Sequence, residues 1–307
     1  MPQQKVNFEN KNGQHVILSA VINFPENFDK DRTYPAIVAT HPGGGVKEQT
    51  AGSYAKRLAE AGFITIAFDA SYQGESSGEP RQLENPYIRT EDISAVIDYL
   101  TTLPYVDNER IGVIGVCAGG GYSVNAAIND RRIKAVGTVS GVNIGAMFRN
   151  GWDGNQKPTD AFALLEAGAG ARTAEAEGAT ISTFPLAPMT REDATSIEMQ
   201  QAWEYYRTPR AQCNTAPSIT PVRCFTQLAT YDAFHLAELF LTQPLQLIAG
   251  SMAGSKWMSE DLYQRAVSAN KNLHIVEGAN HMELYDIPQY VEETVSVLVS
   301  FFKNNLG

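Results

Sequence analysis

The 307-residue sequence has little cysteine, little basic charge and no long apolar run. Its three cysteines are too few for a secreted disulfide framework and show no zinc-ligand spacing with the five histidines, so we expect no metal. Lysine and arginine number 24 against 34 aspartate and glutamate, and the net charge of −10 opposes binding to nucleic acid or anionic lipid. No window of about 18 apolar residues could span a bilayer, and the amino terminus lacks a signal region. We therefore expect a cytoplasmic protein without membrane or nucleic-acid partners.

Apolar residues make up 43% of the chain, which is enough for a large core. Residues 5–24 alternate polar and apolar side chains around a turn, a pattern typical of an edge β-hairpin. Continuous apolar runs then alternate with helical patterns, as in a buried parallel sheet flanked by helices. The predicted strands of this sheet cover residues 35–40, 62–69, 111–116, 133–140, 244–250 and 273–276. The pattern predicts an α/β fold, and it places Thr90 as the cap of a helix over 90–103.

The strand and helix alternation stops between residues 142 and 243. This stretch is rich in Ala, Gly and Pro and carries scattered aromatic residues. Placed after a parallel strand, such an insertion would lie over the carboxyl ends of the strands, where it could cover a site. We expect a core domain made of residues 1–141 and 244–307, with 142–243 as a cap.

A strand, a sharp turn and a helix meet at Cys117, in the sequence Gly115-Val116-Cys117-Ala118-Gly119. Glycines flank the cysteine because so tight a corner leaves no room for a Cβ atom. The positive end of the following helix would favour the thiolate. The pattern therefore predicts a nucleophile elbow with cysteine in place of serine, the alternative being a small thiol that only packs the corner.

A glycine-rich loop, His41-Pro42-Gly43-Gly44-Gly45, follows the predicted strand 35–40. Its backbone N–H groups can converge on one point. We expect Gly43 or Gly44 to supply one donor of an oxyanion hole and Ala118 the other. The alternative is a flexible turn.

His281 lies in the loop after the last predicted strand. In nucleophile-elbow enzymes the base comes at this point of the chain, after the nucleophile. A loop histidine is otherwise ordinary polar surface, but the order of strand, elbow cysteine, later strand and histidine favours a catalytic base.

These motifs together resemble the α/β-hydrolase superfamily, in particular dienelactone-hydrolase-like bacterial hydrolases and their fungal polyketide-pathway relatives, which act as acyl transferases or thiohydrolases. The resemblance implies an eight-stranded, mostly parallel sheet with a cap. It also implies that Cys117 is the nucleophile, that His281 is the base, and that Ala118 with Gly43 or Gly44 forms the oxyanion hole. We expect a small-molecule ester or thioester substrate, no cofactor, and a chain that can form a homodimer.

One position departs from that family pattern. The family has an acidic residue near position 254, where it orients the histidine, whereas this chain has Gly254. The first acids that follow are Glu260 and Asp261. Either one of these reaches back, with Glu260 the first choice, or Glu48 serves instead, or the enzyme works with a Cys-His dyad.

The sequence therefore predicts a cysteine hydrolase that cleaves an ester or thioester through an acyl-enzyme. Two alternatives stay open, namely acyl transfer from the same site to an alcohol or amine, and a non-catalytic, ligand-binding descendant of the fold.

Further residues that can line the site are His41, Glu48, Tyr205 and Tyr206. The aromatic residues of the cap indicate an apolar pocket if they line the site. If they do not line it, they form the core of the cap itself.

Overall fold

The computed structural model describes residues 2–307, in which ten strands are found. In chain order they are β1 (Gln3–Asn10), β2 (Val16–Asn23), β3 (Tyr34–Thr40), β4 (Ile64–Phe68), β5 (Val106–Val116), β6 (Ile133–Val139), β7 (Thr183–Pro185), β8 (Ile219–Pro221), β9 (Leu245–Gly250) and β10 (Lys271–Val276).

Eleven α-helices accompany the strands in the same part of the chain, and not one of them is both long and apolar enough to cross a membrane. They are α1 (Thr50–Glu60), α2 (Pro86–Leu100), α3 (Ala118–Asn129), α4 (Ile144–Asn150), α5 (Phe162–Ala176), α6 (Ile197–Arg207), α7 (Phe225–Thr230), α8 (Ala237–Phe240), α9 (Lys256–Arg265), α10 (Glu283–Asp286) and α11 (Pro288–Leu306).

Eight of the strands form one sheet in the order β1-β2-β4-β3-β5-β6-β9-β10. The hairpin β1–β2 is antiparallel and joins β4 in antiparallel fashion, and every later pair is parallel. This arrangement confirms the predicted eight-stranded, mostly parallel sheet with an antiparallel edge hairpin. Because parallel strands end at the same edge, the loops after β3, β5, β9 and β10 come together there.

The start of α2 differs from the prediction, which placed the helix cap at Thr90. The helix begins one turn earlier, where the Asn85 side chain accepts hydrogen bonds from the N–H groups of Tyr87 (3.0 Å) and Ile88 (3.4 Å). Pro86 occupies the first helical position, where its missing N–H has no cost. Thr90 instead lies inside the helix and bonds to the Pro86 carbonyl. The Asn-Pro pair is the stronger start signal.

Residues 142–243, here called the cap, contain α4 to α8 and the two-stranded sheet β7–β8. Two contacts place the cap on the loop after β3. The Ser218 hydroxyl donates to the Gly44 carbonyl (3.0 Å), and the Tyr205 hydroxyl accepts from the Thr50 N–H (2.9 Å). The cap therefore lies over the edge of the sheet at which the predicted site residues end.

A buried lysine fixes the loop that follows β3. The Lys47 ammonium group, with 1% of its side chain exposed, lies 2.6–2.7 Å from carboxylate oxygens of Glu48, Asp69 and Glu75. The Lys47 N–H also donates to Asp69, whose side chain is fully buried. A buried carboxylate needs this partner because burying an unpaired charge is costly. The lysine thus joins the loops after β3 and β4.

We predict that Lys47→Met destabilises the protein by about 3–5 kcal/mol, since the nearly isosteric side chain leaves the Asp69 carboxylate buried and unpaired. Lys5→Met is the matched control. Lys5 bonds to the same Glu75 but is 55% exposed, so its loss should cost at most about 1 kcal/mol. Urea unfolding of both variants measures the difference. Equal losses of stability would contradict the assigned role of Lys47.

Candidate active site

Cys117 lies at the corner between β5 and α3 with φ 56° and ψ −127°. A non-glycine residue adopts this left-handed backbone only where its surroundings hold it, at a cost of about 1–3 kcal/mol. A Cβ atom at Gly115 would overlap the backbone of Gly119, and one at Gly119 would overlap the Thr40 carbonyl. The predicted strand-turn-helix corner is present, and both flanking glycines are required by close backbone contact.

The Cys117 sulfur is partly buried and faces three hydrogen-bond donors. They are the N–H groups of Ala118 and Gly43 and the hydroxyl of Tyr285, and each lowers the pKa of the thiol. Burial has the larger effect and raises this pKa above its usual value. The expected thiolate is therefore not the resting form, because desolvation outweighs the end of the helix. Cys117 is a thiol that needs a base.

The predicted oxyanion donors are only partly brought together. Ala118 and Gly43 direct their N–H groups at the Cys117 sulfur. Gly44 instead faces the cap: its φ is +69°, and an added Cβ would lie 3.0 Å from the Ser218 Cα and 3.1 Å from Leu186. Of the two predicted glycines, Gly43 is the one that reaches the sulfur.

His281 lies between β10 and α10 and is 1% exposed. Its Nδ1 is 2.6 Å from the Ser255 hydroxyl and its Nε2 is 3.1 Å from the Tyr285 hydroxyl. The edge of the Trp152 ring packs against the imidazole, with ring centroids 4.6 Å apart. Burial lowers the pKa of His281 to about 3, so the ring is neutral at neutral pH and one ring nitrogen carries no proton.

Tyr285 joins the two predicted residues. Its hydroxyl is 3.1 Å from the His281 Nε2 and also acts on the pKa values of Cys117 and Tyr206, and the side chain is buried. Our sequence analysis did not identify this residue. The only signal was its position four residues after His281, which puts both side chains on one face of a helical turn.

Of the other predicted residues, Tyr205 and Tyr206 lie beside Tyr285. The ring centroid of Tyr205 is 5.2 Å from that of Tyr285 and 4.9 Å from that of Tyr206. His41 does not face the site. Its Nδ1 bonds to the Pro42 carbonyl (2.8 Å) and its Nε2 to the Ala70 N–H (3.1 Å), so this buried ring holds the glycine-rich loop in place.

The dienelactone hydrolase family model matches residues 18–146. The chain is 64% identical over 306 residues to the uncharacterized protein YcjY of Escherichia coli K12, covering all of both proteins. The chain belongs to the same family as YcjY, and its residues 18–146 match the dienelactone hydrolase family.

Two further comparisons extend this family assignment. The crystal structure of the hypothetical protein PA2218 from Pseudomonas aeruginosa superposes with a TM-score of 0.91 at 34% identity, covering 99% of this chain and 94% of that one. Thiohydrolase aneE of Aspergillus aculeatus is 28% identical over 255 residues, or 80% of this chain and 78% of that protein. Family membership makes this protein a hydrolase-type enzyme with the α/β-hydrolase fold.

The acidic residues considered for the family's third position are all elsewhere. Glu260 is half exposed on α9, where its nearest cationic group is the Lys256 ammonium at 3.8 Å, and Asp261 lies 3.5 Å from Arg265. Glu48 pairs with Lys47. The prediction that Glu260 is the acid is wrong because α9 begins at Lys256 and directs Glu260 into solvent. Ser255 holds the His281 Nδ1 in place of an acid.

The cap aromatics split into a buried group and an exposed group. Phe225 and Phe234 are buried within the hydrophobic core, whereas Phe162 and Phe184 are 65% and 44% exposed. Cys117 packs against the core cluster that contains Phe225 and Phe234, and an apolar pocket at the site stays a prediction. The aromatic side chains that do surround the sulfur and the imidazole carry a hydroxyl or an indole N–H, namely Tyr206, Tyr285 and Trp152.

We predict that Tyr285→Phe raises the pKa of Cys117 by roughly one pH unit, because a hydrogen bond that favours the thiolate is lost while the ring is kept. The measurement is the pH midpoint of iodoacetamide alkylation, followed by mass spectrometry of the Cys117 peptide because Cys213 is also partly exposed. Tyr205→Phe is the control and should leave the midpoint unchanged. A wild-type midpoint in Tyr285→Phe would show that the hydroxyl does not act on the sulfur.

Proposed function

We propose that this enzyme hydrolyses a small-molecule ester or thioester through an acyl-enzyme on Cys117. One observation carries the proposal: the Tyr285 hydroxyl is 3.1 Å from the His281 Nε2 and, like the N–H groups of Ala118 and Gly43, it lowers the pKa of the Cys117 thiol. A nucleophile, a base and an electrostatic donor pair within one small volume are the groups that acyl transfer needs.

Proton movement follows from the neutral resting state. If Nδ1–H of His281 donates to the Ser255 oxygen, Nε2 has a free lone pair and accepts the Tyr285 O–H. The thiol S–H of Cys117 then donates to the Tyr285 oxygen. As the sulfur attacks, its proton passes to that oxygen and the phenolic proton passes to Nε2. The tyrosine is left neutral, and the charge is on the substrate oxygen and the imidazolium.

The bond changes are those of a two-step acyl transfer. The sulfur adds to the carbonyl carbon, and we assign stabilisation of the oxyanion to the N–H groups of Ala118 and Gly43, which already act on the sulfur. When the intermediate collapses, the bond to the alkoxide or thiolate breaks and this leaving group takes the proton from His281. Water then gives a proton to the same imidazole and adds to the thioester carbonyl. The C–S bond breaks, the acid is released, and the Cys117 sulfur takes the proton back from the imidazolium.

A thioester substrate is supported by two considerations. Exchange of an acyl group between two sulfur atoms replaces one thioester by another, so little energy is lost on forming the acyl-enzyme. The relative aneE is named a thiohydrolase. We therefore place a thioester ahead of an oxygen ester.

Transfer to an alcohol or amine is the second candidate function. It is favoured by the covering of the site, since His281 is 1% exposed beneath the cap residue Trp152. An acyl-enzyme that is shielded from water lives long enough for another acceptor to take the acyl group.

We predict that Cys117→Ala lowers kcat/KM toward nitrophenyl and coenzyme A esters by about 10³-fold or more, because the nucleophile is removed. Cys213→Ala, which changes a partly exposed cap thiol, is the control and should keep full activity. Product analysis with an added alcohol or amine separates free acid from transfer product.

Retention of wild-type activity by Cys117→Ala would overturn the assignment of the nucleophile. A wild-type protein that binds esters, cleaves none of them and alkylates at Cys117 like a free thiol would instead support a ligand-binding role.

A further inference from the structure

The space beside Gly254 is filled by a side chain from the cap. A Cβ atom added at Gly254 would lie 2.8 Å from the Oε2 of Glu198 and 2.7 Å from the Trp152 ring. Glu198 stands in the first turn of the cap helix α6. The core loop therefore has no side chain at position 254, and the Glu198 carboxylate from the cap occupies that space.

Glu198 accepts hydrogen bonds from both loops that hold the imidazole. Its Oε1 accepts from the His281 N–H (3.2 Å) and the Gly254 N–H (3.3 Å). Its Oε2 accepts from the Gly254 N–H (3.1 Å) and from the Trp152 indole (2.6 Å). One carboxylate thus ties the loop after β9 to the loop after β10 and both of them to the cap.

These bonds bear directly on the base. Gly254 is the neighbour of Ser255, whose hydroxyl holds the His281 Nδ1 at 2.6 Å. The position of that hydroxyl relative to the ring depends on the spacing of the two loops, which Glu198 sets. A negative charge in the same region also stabilises the imidazolium that forms when the base takes a proton.

We propose that Glu198 is a positioning residue that supplies the carboxylate of the active site from the cap, so that the base is correctly held only while the cap is seated on the core. This inference rests on the proposed acyl-transfer function and extends it, since it makes cap seating a condition for catalysis. The two Glu198 carboxylate oxygens make three hydrogen bonds from the cap to the core, and these are lost if α6 moves away.

A simpler explanation is that Glu198 stabilises its own helix. Acidic residues in the first turn do favour a helix, through its dipole. The amino terminus of α6 already has a cap, however, because the Ser196 side chain accepts from the Met199 N–H. The four hydrogen bonds of Glu198 come from Trp152, Gly254 and His281, all outside α6.

The first test compares Glu198→Ala and Glu198→Gln with Glu204→Ala, a half-exposed acid on the same helix that faces Arg210. We expect Glu198→Ala to lower kcat by about 10–100-fold with KM changed less than about threefold, because the base is misplaced rather than the substrate. Glu198→Gln should also lose activity, since its NH₂ group must face an N–H donor. Glu204→Ala should keep the wild-type kcat. Thermal unfolding is recorded for all three.

The second test observes His281 without turnover, by ¹⁵N NMR of protein labelled at its five histidines, with His281→Gln used for assignment. We expect one fixed tautomer, protonated at Nδ1, in the wild type and in Glu204→Ala, and a mixture of tautomers in Glu198→Ala. An unchanged tautomer in Glu198→Ala overturns the inference, whether kcat is unchanged or falls in step with the unfolding temperature. Because this readout needs no substrate, it decides on Glu198 even if no ester is hydrolysed.

Discussion

The left-handed backbone at Cys117 is the constraint on which the rest of the site depends. It turns the chain from β5 into α3 within one residue, which requires glycine at positions 115 and 119 and brings the carbonyl of Thr40 against the corner. This close packing also brings the loop after β3 next to the Cys117 sulfur. The N–H groups of Gly43 and Ala118 both lower the pKa of the thiol. The strained corner thus brings together Cys117, the proposed nucleophile, and the two N–H groups proposed to bind the oxyanion.

Burial decides how this site can work. It raises the pKa of the Cys117 thiol and lowers that of His281, so both groups are neutral at rest. A preformed thiolate–imidazolium pair is disfavoured in such surroundings. In the proposed mechanism the proton therefore moves as the sulfur attacks, by way of the Tyr285 hydroxyl, which is 3.1 Å from the His281 Nε2. The Ser255 hydroxyl is a neutral partner for the imidazole, which suits a thiol because a thiol gives up its proton more readily than an alcohol does.

Local patterns in the sequence were sufficient to predict the eight-stranded sheet, the elbow at Cys117 and the position of His281, because each depends on residues close together in the chain. The same local patterns could also have predicted the helix start at Asn85, but the predicted cap was Thr90. The roles of Ser255 and Glu198 could not be predicted in this way. Ser255 acts on a residue 26 positions away and Glu198 on one 83 positions away. Both contacts are set by how the cap and the loop after β9 pack.

The central claim is that Cys117 carries the acyl group, and trapping that intermediate tests it most directly. The wild-type protein is mixed with an activated thioester, quenched in acid within the first turnovers and digested for mass spectrometry. The account predicts one acyl group on the Cys117 peptide, present in the wild type and absent after prior alkylation of that thiol. Turnover with no label at Cys117, or with the label on another residue, would contradict it.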